Sequence, residues 1–250
     1  MRGEEKSNYL AVMDKQVMAA LKAADWDQVG RHLSEMRQAI LDSGPSKADS
    51  NWSAPSQPLP LSATLAEKRL GWAIAEGYGG EPWLADILTG AGLLGDKLGR
   101  SLDLLHLDGE GVTFFAFKVT MGGEDIFKGL RDFLVNSVLY RAFLQAPRHF
   151  GYNTERSPLR LDEPPIRWEL VGPKDLINPR KSEMRWGERD TQGMQRLMKG
   201  LGVTSFAVGR LQAEAEALQA NLSKDNFSAA RARQWFENRV SVVLAQDLSR

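Results

Sequence analysis

The chain has 250 residues, 32 Lys and Arg against 32 Asp and Glu, 42% hydrophobic residues and no cysteine. Zero net charge excludes a whole-molecule electrostatic grip on nucleic acid, and the lack of cysteine excludes disulfides, zinc–thiolate centres and cysteine nucleophiles. The start, MRGEEKSNYLAVMDKQ, lacks the apolar core of a signal peptide, and no apolar run reaches membrane-spanning length. A cytoplasmic protein without membrane contact is therefore expected.

In chain order, residues 8–43 carry a helical repeat. Leu10, Met13, Val17 and Leu21 share one face, and Asp25 or Asp27 can cap a second helix bearing Val29, Leu33, Met36, Ile40 and Leu41. An N-terminal helical hairpin (1–43) is expected, stopped by Asp42-Ser43-Gly44-Pro45. Residues 44–60, rich in Pro, Ser and Asn, read as a linker or an irregular surface loop. Ser62 can cap a helix through ATLAEKRLGWAIAEGYG that ends at Gly77, Gly79 and Gly80, and a shorter helix is expected after Pro82. SLDLLHLDGEGVTFFAFKVT (101–120) then reads as two strands turning at Asp108-Gly109-Glu110-Gly111.

Downstream, DIFKGLRDFLVNSVLYRAFLQ predicts a long amphipathic helix. Strands are expected at 166–172 and 203–209, with the helix-like TQGMQRLMKGLG between them. From Arg210 the pattern predicts a helical extension (210–250) broken near Ser223–Asn226. Its apolar face, with Phe227, Trp235, Phe236, Val240, Val243 and Leu244, either packs on the core or meets a second copy or a partner protein. Strands alternating with helices indicate an α/β layer structure, its sheet mixed because of the hairpin.

The chemistry concentrates in the hairpin. Side chains alternate along a strand, so Ala116 and Lys118 share one face while Phe115, Phe117 and Val119 take the other. An antiparallel partner strand brings Asp103 opposite them. A buried lysine is costly unless paired, so Asp103 and Lys118 fit a structural ion pair, or an edge strand with Lys118 in water. They also fit a catalytic pair.

On these residues the stretch LDLLHLDGEGVTFFAFKVT resembles the core hairpin of the PD-(D/E)XK nuclease superfamily. That pattern has an Asp on one strand, then an acidic residue, any residue and a Lys on the next. Glu67, in LAEKRLGWAI, stands where members commonly carry a Glu on the preceding helix. The long helix and further strand after the lysine follow the family's order. The resemblance covers residues 61–145 and extends loosely to 209, so 61–209 is expected to form a restriction-endonuclease-like core. It implies a DNA-cleaving, Mg²⁺- or Mn²⁺-dependent enzyme, with Asp103 and Glu67 towards the metal and Lys118 supporting the attacking water. It also implies a setting in antiphage defence or as a toxic effector.

The departure is Ala116, which stands where the family has Glu or Asp. A methyl group cannot ligate a hard cation, so the chain as written is expected to be inactive. The alanine is either an engineered change or the mark of a nuclease fold kept for binding, as an adaptor or nucleic-acid-binding module. A migrated acidic role at Glu124 or Asp125 is the third possibility, against helix capping by the same residues.

The stretch NPRKSEMRWGERDTQGMQRLMKG adds a local positive excess, with Arg180, Lys181, Arg185 and Arg189 as candidate nucleic-acid contacts. A solvated surface explains it equally well. His32, His106 and His149 are too scattered for an obvious metal site, and neither a phosphate-binding loop nor a nucleophile elbow is present.

Overall fold

The computed structural model describes residues 9–43, 45–46, 51–52, 66–80, 82–90, 93, 101–109, 111–119, 125–150, 165–174, 187–222 and 227–246. Helices α1 (Tyr9–Lys22) and α2 (Trp26–Leu41) form the expected hairpin. Asp25 caps α2 by accepting from the Gln28 N–H. Helix α3 (Ala66–Gly77) follows, then strands β1 (Trp83–Leu88), β2 (Ser101–Leu107) and β3 (Val112–Phe117). Helix α4 (Asp125–Gln145) precedes β4 (Ile166–Gly172), α5 (Glu188–Leu201) and β5 (Val203–Arg210). The chain continues through α6 (Ala215–Leu222) and α7 (Ala229–Glu237) to β6 (Val240–Gln246).

The six strands form one sheet in sequence order. Strands β3, β4 and β5 run parallel to one another, while the β1–β2, β2–β3 and β5–β6 pairs are antiparallel. Both faces are covered. Phe114, Ala116, Trp168 and Phe206 meet α1, α2, α4 and α5 on one side, and Leu104, Phe115, Phe117 and Val171 meet α3, α6 and α7 on the other. Parallel strands need long crossovers, and α4 and α5 supply them on one face, where these strands are apolar.

Two expected helices are strands. The segment after Pro82 is β1, because WLADIL finds a ladder with β2 in which Trp83 faces His106 and Leu88 faces Ser101. Burial of Leu84, Ala85 and Ile87 on the sheet outweighs the local preference of proline for a helical first turn. The C-terminal extension is not helical to its end either. VSVVLAQ pairs with β5 as β6, where three β-branched valines suit an extended edge. The stretch read as a linker or surface loop also contributes to the core. Asn51 and Trp52 are fully buried, and Trp52 packs against Phe143 at 5.5 Å, Tyr140 at 5.1 Å and Phe114 at 6.1 Å between ring centroids. Ser62, proposed as a helix cap, lies outside the described residues.

The terminal hairpin belongs to the same core. Trp26 covers Gly193 so closely that a Cβ there would lie 2.2 Å from the ring, and its indole N–H donates to Asp190 at 3.1 Å. Helix α5 stops at Gly202, whose φ of 67° is the left-handed conformation that glycine takes without penalty.

Candidate functional site

The strands β1 and β2 change phase at one place. Leu84 and Leu105 face α4 and Ala85 and Leu104 face α3, yet Ile87 and Leu102 face α4 again. The slip falls at Asp86 and Asp103, which stand across from each other in the ladder between the Ala85–Leu104 and Ile87–Leu102 pairs. Asp86 has φ 53°, a costly conformation for a residue with a side chain, and is buried against Lys68 of α3 at 2.6 Å. Asp103 turns its carboxylate back into the sheet, where Oδ2 accepts the Phe117 N–H at 2.7 Å. Helix α3 presses on this point: a Cβ at Gly71 would lie 2.3 Å from the Asp103 carbonyl oxygen.

Lys118 follows the last residue of β3, its N–H donating to the Val171 carbonyl. Its ammonium lies 3.1 Å from Oδ2 of Asp132 on α4, and Arg131 Nη2 lies 2.5 Å from Oδ1 of the same carboxylate. Among the described residues the direct partner of Lys118 is therefore Asp132, not Asp103, and the expected Asp103–Lys118 ion pair is corrected accordingly. Asp103 acts on the lysine through space. Burial draws the Lys118 ammonium towards losing its proton, but Asp132, Asp103 and Glu67 outweigh it and hold the ammonium above its ordinary range.

Asp103 is the unusual group. Burial pushes its carboxyl from 3.8 to about 7, although Lys118 and the Phe117 N–H pull it down; Asp132 and Glu67 push it further up. Glu67, in the first turn of α3, is thus close enough to act on both Asp103 and Lys118. Asp103, Lys118 and Glu67 act on one another through space, while the contact Lys118 makes is to Asp132. Ala116 lies beside them on the β3 face that meets α4, 7% exposed. A carboxyl that titrates near neutrality beside a charged lysine is poised for proton transfer or for taking a cation.

The sequence reading missed Arg131, Asp132 and Asp86. The first two show as a charged pair interrupting an apolar helix, in KGLRDFLV, one turn after Lys128. Asp86 was hidden by reading its segment as a helix. Of the proposed basic contacts, Arg189 is exposed at the start of α5; Arg180, Lys181 and Arg185 lie outside the described residues, as does Glu124. His106 is not a ligand in this cluster, and its ring stacks on Trp83 at 3.9 Å.

The residues present do not complete a site for Mg²⁺ or Mn²⁺. Ala116 has no ligating atom, both Asp132 oxygens face cations, and one Asp103 oxygen is taken by a backbone N–H. Among the described residues no three His, Asp or Glu side chains are grouped to hold one ion. No described helix is long and apolar enough to cross a membrane. No family model matches the chain, and neither a curated protein nor a solved structure matches it.

Proposed function

We propose that this chain is a nuclease of the PD-(D/E)XK kind, built to cleave DNA phosphodiester bonds with a divalent metal and disabled by Ala116. The observation that carries the reading is that Asp103 and Glu67 act through space on Lys118 at the open end of the β2–β3 hairpin, with Ala116 two residues before the lysine on the β3 face that meets the long helix. The order of helix with Glu67, hairpin, long helix and further strand, which the resemblance implies, supports the restriction-endonuclease-like fold. An ordinary core has no reason to bury a carboxyl at a phase break beside a lysine, since burial without full compensation costs stability.

With alanine at 116 the metal lacks an oxygen ligand, and no catalytic step is assigned to the chain as it stands. DNA binding without cleavage, as an adaptor acting with a partner protein, is the second reading, favoured by the same methyl group.

The test compares the chain with its Ala116→Glu variant on plasmid and single-stranded DNA in Mg²⁺ or Mn²⁺. Cleavage is expected from the variant alone, and Asp103→Ala or Lys118→Ala in that background is expected to abolish it. A folded Ala116→Glu variant that cuts neither substrate, or that cuts as well without Lys118, refutes the nuclease reading. DNA binding that persists in the silent chain then favours the adaptor.

A further inference from the structure

The face of the sheet under α3 and α7 is not covered along its whole length. Near the N-terminal ends of the parallel strands it opens into a cleft of about 470 Å³, within the range of small-molecule sites. The registers β2–β3, β3–β4 and β4–β5 place His106, Thr113, Arg167 and Ser205 in one row across its floor. The strands lie ~4.8 Å apart, so these four side chains act on one ligand-sized region.

A sheet row that packs on a helix is normally apolar. This row is an imidazole, a hydroxyl, a guanidinium and a second hydroxyl. Among the described residues the Thr113 and Ser205 hydroxyls and the His106 ring nitrogens have no hydrogen-bond partner. Arg167 gives Nη2 to Asp108, but its Nε–H is buried and meets no described acceptor. Burial holds the His106 imidazole below its ordinary value, against the pull of Asp108 and with the help of Arg167 and Arg239, so at neutral pH it has one N–H to give.

The other charges in the cleft are already paired, Glu237 with Arg233 at 2.8 Å. Glu169 takes both its oxygens to Arg239, at 2.8 and 2.9 Å, and also accepts from Ser241. Each of the four side chains in the row thus has a donor to offer, and Arg167 adds the one positive charge. Beside it stands an apolar wall: Trp83 lies between Tyr78, at 4.4 Å, and His106, with Phe236 edge-on at 5.5 Å.

We propose that this cleft binds a small ligand carrying an oxyanion, a phosphate or a carboxylate, on a planar apolar body. Arg167, Thr113 and Ser205 hold the oxyanion, and the His106 ring, backed by Trp83 on its other face, holds the body. The site is separate from the Asp103 cluster. Glu67 and Tyr78 mark opposite ends of α3, ~16 Å apart along its axis.

Calorimetric titration of the full chain with inorganic phosphate, AMP and benzoate tests this. Saturable binding of at least one probe is expected. Phosphate and AMP binding together identify a phosphate ligand, and benzoate alone identifies a carboxylate. The Thr113→Val, Ser205→Ala double variant, which disturbs no ion pair, is expected to bind about tenfold more weakly. Arg167→Gln is expected to lose more, because a charged donor goes. Lys118→Ala is expected to bind like the parent chain. Absence of binding by all three probes, undiminished affinity in the hydroxyl variant, or loss of binding in Lys118→Ala overturns the proposal.

Discussion

Replacing Asp103 by Asn is expected to make the protein more stable, and only above acid pH. The carboxyl holds its proton up to about pH 7 in the fold and releases it near 3.8 in the unfolded chain. Between those values the native state binds more protons than the unfolded state, so stability falls as pH rises through this window and then levels off. About three pKa units at ~1.4 kcal/mol each set an upper bound of ~4 kcal/mol on this loss. Asparagine removes the charge and keeps an oxygen to accept the Phe117 N–H. Urea denaturation of parent and variant, followed by tryptophan fluorescence, should show near-equal stability at pH 4. At pH 8 the variant should gain ~2–4 kcal/mol, or roughly 5–15 °C in Tm for a chain of this size. The difference between the two proteins isolates this one group, since every other titration is shared. A difference that does not change with pH, or a variant less stable at pH 8, refutes the view that Asp103 stores unfavourable burial. The same change should silence any cleavage gained through Ala116→Glu, because the group that costs stability is the one the chemistry uses.

Trp52→Ala should cost about 3–5 kcal/mol in the same denaturation assay, the penalty of emptying a fully buried indole site. A residue in a true linker would cost less than about 0.5 kcal/mol. Glu169→Gln should cost roughly 3 kcal/mol, because it leaves the Arg239 guanidinium, which also lies 3.8 Å over the Phe236 ring, without its buried counter-charge. An unchanged urea midpoint in Glu169→Gln would mean that water replaces the carboxylate.

Much of this protein is determined by its sequence alone, where the local signals agree with each other. The helical hairpin, the β2–β3 turn, the 21-residue α4 and strands β4 and β5 follow from periodicity, capping and the Asp-Gly turn, which act over a few residues. That Asp103 and Lys118 stand at the same end of the hairpin was legible as well, because the turn fixes the order of the two strands, but the direct partner of the lysine was not. Other features needed the tertiary structure. WLADIL and VSVVLAQ are short apolar runs whose local pattern suits either element, and only a neighbouring strand with unpaired backbone groups made them β1 and β6. Trp52 sits among prolines and serines, yet the space between Phe114, Tyr140 and Phe143 draws it in, because burying an indole outweighs the composition around it. Asp132 became the partner of Lys118 only when α4 crossed back over the end of β3. The row of His106, Thr113, Arg167 and Ser205 draws one residue from each of four strands, three of them parallel and joined by long crossovers. No spacing along the chain could have aligned it; the registers between strands did.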